Sequence, residues 1–296
     1  MDAQHYAEFL QRIGHMVHEA AGVHWFDVKP HVYTCFPFET QLNPAAVDFG
    51  TVLGSRGLAA RYCCRVSEGV SSYRLVVRDR DYDLASQTSK ARNQTRRGLE
   101  QCQYGRLEFS QLADDGLRLN RETLLRQQRS IPGDFERYWR DYYSAADRCP
   151  AATAWGAWHD GMLASYLISF RIGAVENICI VRSDRSTLKH YPNNAMLYSF
   201  LKHAMERGDV SEVSIGFQSL LEGMEPLDHF KLGLGFEKQP IGQRIEFRRT
   251  LGLAVPKSLA ALTGRALKRW SEHERLGRIS GMLAWYASQP VIRKAA

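Results

Sequence analysis

The sequence predicts an α/β fold with a mixed sheet and flanking helices, and three stretches carry that expectation. The first runs through residues 176–236. There the apolar, β-branched run Val175-Glu176-Asn177-Ile178-Cys179-Ile180-Val181 reads as a buried strand. A helix follows over about 194–207, stopped by Gly208 where a left-handed residue is commonly needed, and a second short strand covers 213–216. Strand, helix, strand is a βαβ unit, which places ligands at strand ends beside a helix N-terminus. The second stretch is a hairpin: residues 154–158 and 162–171 alternate in polarity around His159-Asp160-Gly161, and Asp-Gly is a strong hairpin-turn signal. The third is helical periodicity at the N-terminus, where Tyr6, Phe9, Leu10, Ile13 and Val17 predict an amphipathic helix over residues 3–20 ending before Gly22.

Between these landmarks the remaining elements follow in order. Strand-like runs at 32–36, 61–66 and 73–77 are separated by Pro, Gly and Ser turns. A helix over 84–101 carries Lys90, Arg92, Arg96 and Arg97. Four cations within two turns repel one another unless they meet solvent, acidic groups or phosphates; a solvated face and a phosphate-binding face are the two readings. Residues 107–129 read as a short strand and a helix, Ile131-Pro132-Gly133 breaks the pattern, and Asp134 suits the N-cap of a helix through Tyr138, Trp139 and Tyr142. A helix or loop spans 228–236, and a closing strand covers 244–247. Beyond Pro256, the spacing of Leu259, Leu262, Ala266 and Trp270, then Leu276, Ile279 and Leu283, predicts two amphipathic helices.

Composition narrows the class. The chain is 44% hydrophobic and 24% charged, with net charge +7. Residues 251–296 hold eight Lys or Arg against two Glu, so most of the excess sits in this tail. The tail suits packing onto the domain or peripheral contact with an anionic membrane at the inner face; no specific nucleic acid partner is expected. Six cysteines (Cys35, Cys63, Cys64, Cys102, Cys149, Cys179) lack C-x-x-C spacing and read as reduced, buried thiols. With no signal-peptide pattern and no 18-residue apolar run, a soluble cytoplasmic protein is expected. No metal set, P-loop or G-x-G-x-x-G fingerprint is visible, so metal and dinucleotide chemistry are not expected.

The order of elements over 134–247 resembles the GNAT acyltransferase core. Ser214-Ile215-Gly216-Phe217-Gln218-Ser219, Phe230-Lys231, Gly235-Phe236 and Pro240, together with Tyr191-Pro192-Asn193-Asn194, resemble the Fem-type peptidyltransferases and their CoA-using relatives. The resemblance implies two GNAT-like lobes: a degenerate one over 1–131, a catalytic one over 132–250, and the basic tail over 251–296. It implies an N-acyltransferase with acyl-CoA or a carrier-bound thioester as donor, no metal, and a small-molecule or glycan amine as acceptor, in a setting such as bacterial envelope or polysaccharide biosynthesis. Residues 185–194 contain no glycine, unlike the Gly-rich pyrophosphate turn of acetyl-CoA-using members. No long heptad segment for a coiled-coil arm is present, which favours a thioester over aminoacyl-tRNA as donor. A Fem-type aminoacyl-tRNA-dependent transferase and a non-catalytic basic module for nucleic acid or anionic membrane are the alternatives.

The resemblance also distributes roles. The splayed strand around Ile180, Val181 and Arg182 would bind the pantetheine arm, and Asn193 and Asn194 would receive pyrophosphate at a helix N-terminus, where unpaired N–H groups and the dipole favour negative charge. Glu176 is the candidate general base, since a carboxylate in an apolar strand is costly to bury without purpose; a strand-end pairing with Arg171 or Arg182 is its alternative. His190 and His229 are further candidate bases, and Tyr191 or Tyr198 a proton donor to the leaving thiolate. Lys231, as the Phe-Lys lysine, would face the acceptor and bind an anion or the oxyanion. Gln218, Ser219, His229 and Phe230 would line the substrate cleft. The apolar residues Phe217, Leu220, Leu221 and Met224 suit either a long acyl chain or ordinary packing.

Overall fold

The computed structural model describes residues 3–126, 130–219, 225–254, 256–268 and 274–292. Leu220, Leu221, Met224 and Trp270 lie outside these. In chain order the elements are α1 (Ala3–Arg12), β1 (Val17–Ala20), β2 (Val23–Lys29), β3 (Val32–Phe36), α2 (Phe49–Leu53), β4 (Ala59–Cys64), β5 (Val70–Val77), α3 (Ser89–Gln101), β6 (Gln103–Arg106), α4 (Asp115–Arg126), α5 (Phe135–Asp147), β7 (Ala152–His159), β8 (Met162–Ile172), β9 (Val175–Ser183), α6 (Pro192–Glu206), β10 (Glu212–Phe217), α7 (Glu225–Gly233), β11 (Glu237–Phe247), α8 (Arg249–Ala254), α9 (Lys257–Lys268) and α10 (Glu274–Ser288).

These elements form two units. The first comprises residues 1–14, 75–216 and 227–237, the second residues 15–74, 217–226 and 238–296. The boundary expected near residue 131 therefore falls inside the first unit, between α4 and α5.

In the first unit the strand order is β5-β10-β9-β8-β7-β6, with the last three residues of β5 taking part. The β7–β8 hairpin forms as the Asp-Gly signal predicts, with Asp160 and Gly161 both at positive φ, the geometry of a primed turn. β9 and β10 pair in parallel across α6, so the βαβ unit is present. The helix start and stop differ from expectation. α6 ends with Arg207 in extended geometry, and the left-handed residue is instead Tyr191 at its start, with φ 56 and ψ 40. α1 is docked by Tyr6 and Phe9, whose rings lie 4.9 and 4.5 Å from that of Phe170.

The second unit has the order β1-β2-β3-β4-β11-β5, with the first five residues of β5. Here the expected helix over 3–20 is corrected: it stops at Arg12, Gly14 turns the chain at φ +89, and residues 17–20 pair with 23–26. Ala21 and Gly22 lie at φ 54 and 74, a second primed turn. Hairpin pairing wins over helical spacing because it buries Val23 and Trp25 in a cluster with Tyr33, Val52 and Tyr62. α9 and α10 confirm the two tail helices; Ser280 donates to the Gly264 carbonyl between them, and Gln289 exchanges hydrogen bonds with the Ile245 backbone of β11. Leu259, Leu262 and Ile279 stay exposed on these helices. All six cysteines are free; five are buried, whereas Cys179 is exposed. Among the described residues no helix is long and apolar enough to cross a membrane, and no group of three ligating side chains could hold a metal.

Candidate functional site

β9 and β10 hold only three residue pairs, Val175 with Glu212, Glu176 with Val213 and Asn177 with Ser214. Two local features then part them. On β9, Ile168 of β8 faces Ile180 while Ser169 faces Ile178, so Cys179 is an extra, bulged residue. Such bulges bend a strand and re-aim its backbone. On β10, Gly216 adopts φ +99, a conformation that a side chain at this position would disfavour. Past the third pair, β9 is left with an exposed or half-buried edge at Cys179, Ile180, Val181 and Arg182.

α6 begins just beyond that edge. Pro192 at its first position has no N–H to lose, and Tyr191 O accepts from the amides of Asn194 and Ala195. Among the described residues, Asn193 Oδ1 and Asn194 Nδ2 are buried without a hydrogen-bond partner, and Asn194 is only 4% exposed. The Asn194 Nδ2 donor at a helix N-terminus fits an anionic ligand, whereas Asn193 Oδ1, an acceptor, fits a donor on the same ligand. The absence of glycine from 185–194 has a structural counterpart: Tyr191 itself takes the left-handed conformation, which a bulky residue adopts only when its surroundings hold it. Arg97 lies over its ring at 5.1 Å. Gly98 of α3 packs on its carbonyl so closely that a Cβ would come within 2.6 Å of the oxygen. A glycine inside a helix weakens it by about 1 kcal/mol, so Gly98 was the sequence signal for this close crossing.

α3 also fixes α7. Its N-cap Thr88 donates its amide to Gly233 O at 3.0 Å, and Ala91 lies against Gly233. From Ala91 to Gly98 the helix rises about 10 Å, so one basic helix holds both the start of α6 and the end of α7. Of its cations, Arg92 is half-buried and donates to Gln87 O, while Lys90, Arg96 and Arg97 are exposed. Lys231 sits on α7 with its side chain 12% exposed and Asp228 at 3.9 Å. Burial pulls its ammonium below the usual lysine range, with Asp228 opposing. His229 beside it is exposed and Phe230 half-buried.

Glu176 lies one position before the strands part. It is 1% exposed; burial pushes its carboxyl above the usual carboxylate range, opposed by Ser169, Arg207 and Arg171. Arg207 stands 3.8 Å away and itself pairs with Asp209, which also pairs with Arg171. The pairing alternative thus has a concrete form, with Arg207 in place of Arg182. Raised in the fold, this carboxyl weakens the native state as pH rises from the unfolded value of about 4.3, and the penalty is complete above the folded value. Glu176→Gln is therefore expected to melt higher than wild type at pH 7.5 and equally at pH 3.5. A lower melting temperature at pH 7.5 would show that the Arg207 pair outweighs burial.

Other expected residues have partners of their own. Gln218 and Ser219 belong to the second unit, where the Gln218 amide donates to Tyr73 O and its carbonyl accepts from Arg61. His190 stacks on His159 with ring centroids 3.8 Å apart and shares a 2.6 Å hydrogen bond with Gln101. The Arg182 side chain turns to α4 and α5, where its Nε donates to Asn120 Oδ1 at 2.8 Å. Nothing in the local sequence marked Asn120, because its partners are remote in the chain.

The site is thus a parallel strand pair opened by a bulge, followed by a helix with buried, unpartnered polar atoms at its start. Residues 85–225 match the family model described as acetyltransferase (GNAT) domain. Solved structures similar over most of the chain include these three. FemX aligns with TM-score 0.60 and 13% identity, covering 85% of this chain and 93% of that one. The C-terminal DUF2156 domain of a putative lysylphosphatidylglycerol synthetase from Agrobacterium fabrum gives 0.55 and 12%, covering 86% and 90%. L-PGS from Bacillus licheniformis gives 0.51 and 12%, covering 83% and 88%. At these identities the likeness is one of fold, and it shows the GNAT-like, Fem-type α/β architecture expected from the sequence. No curated protein matches the chain.

Proposed function

We propose that this protein is an N-acyltransferase that moves an acyl group from acyl-CoA, or a carrier-bound thioester, to an amine. The observation that supports this most is the parting of β9 from β10 after three pairs, directly before an α6 N-terminus whose Asn193 and Asn194 keep buried polar atoms unpartnered. The backbone edge at Ile180 and Val181 holds an extended amide-containing arm as an added strand would be held. Asn193, Asn194 and the α6 dipole take the anionic end. In the reaction the amine nitrogen attacks the thioester carbonyl carbon and the C–S bond breaks. The nitrogen releases a proton, and the departing thiolate gains one, for which Tyr191 beside the α6 start is the assigned donor. Lys231 supplies positive charge to the oxyanion or to an anionic acceptor group. Glu176 remains the candidate to receive the amine proton through water.

Isothermal titration with CoA, acetyl-CoA and a long-chain acyl-CoA, with ATP as polyanion control, tests the donor. Binding of the thioesters but not ATP is the expected outcome, and the preferred chain length would identify the acyl group. Failure of all three to bind would remove the CoA reading and bring forward carrier-bound or tRNA donors.

A further inference from the structure

Arg182 is a guanidinium held in one direction by partners that, among the described residues, include no anion. It lies on the freed end of β9, opposite Tyr166 of β8. Its Nε donates to Asn120 Oδ1 at 2.8 Å, its Nη1 donates to Val181 O at 2.8 Å, and its carbon stands 5.7 Å from the Trp139 ring. Asn120 is in turn fixed. Its Nδ2 donates to the Tyr143 hydroxyl at 2.6 Å, and the Tyr166 hydroxyl donates to its Oδ1 at 3.0 Å. The two hydroxyls lie 3.0 Å apart. Asn120, Tyr143 and Tyr166 are each 2% exposed or less. Gly116 makes room for this arrangement, since a Cβ there would meet the Tyr143 hydroxyl at 2.5 Å.

Three buried polar side chains are an expensive way to fill a core, because apolar groups of the same shape satisfy packing without any partner to arrange. What the network adds is direction, and the group it directs is half-buried Arg182. Among the described residues the partners of Arg182 are an amide oxygen, a peptide oxygen and an indole ring, none of them anionic. Its Nη2 takes no part in these contacts. A guanidinium so oriented, backed by an aromatic face and beside an opened strand, has the geometry of an anion receptor.

We infer that Arg182 anchors a carboxylate or phosphate carried by the amine acceptor, with Trp139 as the wall beside it. This rests on the acyltransferase reading and makes the acceptor class an anionic amine. Two matched acceptor pairs test it, glycine against glycinamide and phosphoethanolamine against ethanolamine, with the full chain as wild type, Arg182→Gln and Arg182→Lys. Wild type is expected to favour the anionic member of one pair by at least about tenfold in kcat/KM. Arg182→Gln should raise KM for that member alone, and Arg182→Lys should recover part of the loss. The pair that discriminates tells carboxylate from phosphate. No preference in wild type, or the same preference in Arg182→Gln, overturns the inference. Acyl-CoA titration into both proteins keeps the donor question separate. Should the donor not bind, the acyltransferase reading fails by itself, and direct titration of glycine and phosphoethanolamine decides the anchor. Weaker binding to Arg182→Gln then supports it, and equal or absent binding to wild type and variant overturns it.

Discussion

Replacing Lys231 with alanine is expected to lower kcat by about 10²–10³-fold, the range for losing one positioned donor to a developing oxyanion. The side chain is 12% exposed on a helix whose C-terminal end is tied to α3 through Thr88, so the ammonium is held rather than free to wander. Burial lowers its pKa, with Asp228 opposing; the charge is therefore lost at lower pH than for an exposed lysine, and the alkaline limb of kcat should fall early. Lys231→Arg should recover little, because a planar fork does not replace a compact point charge in a confined place. Steady-state kinetics with acyl-CoA titration and circular dichroism in parallel give the reading. Lower kcat with unchanged donor affinity and an unchanged spectrum is expected. Wild-type turnover in Lys231→Ala would remove this residue from the chemistry.

Asn120→Ala should be the most destabilising of the substitutions considered, by about 3 kcal/mol. The alanine removes the Asn120 acceptor of the Tyr166 hydroxyl and Arg182 Nε and the Asn120 donor to Tyr143, leaving the two hydroxyls only each other at 3.0 Å around a 1% exposed position. Burial pushes the Tyr166 phenol up to about 12 and raises that of Tyr143 further, so both hydroxyls stay protonated at neutral pH and need a partner. The melting temperature should drop by roughly 6–12 °C. Asn120→Asp separates stability from recognition. It keeps the acceptor and gives Arg182 a carboxylate, so it should melt closer to wild type while losing the preference for anionic acceptors. Chemical denaturation of both variants checks the first expectation; equal stability of Asn120→Ala and wild type would mean that the network bears no load in the fold.

Much of the frame was legible because its signals are local. The β7–β8 hairpin follows from Asp160-Gly161, and the β9–α6–β10 crossover from a β-branched run, a helix and a second short strand in succession. The N-terminal segment misled because Val17 continues a helical spacing and a strand alternation equally well, and only the partner strand at 23–26 decides between them. The left-handed residue was expected after α6 at Gly208, since glycine adopts that conformation freely; it lies before the helix at Tyr191, held by Gly98. Gln218 and Ser219, adjacent in sequence to β10, fold with the other unit.

The sequence by itself determined the α/β class and the strand–helix–strand segment that lies within the GNAT match, because periodicity, turn chemistry and β-branching act over a few residues. Tertiary structure alone decided where β9 and β10 part and which way Arg182 points. The bulge at Cys179 exists only against the register of β8, and Asn120 meets Tyr143, Tyr166 and Arg182 at separations of 23, 46 and 62 residues. Hydrogen bonds act over about 3 Å in space whatever the distance along the chain, so such a network has no local signature until the chain is folded.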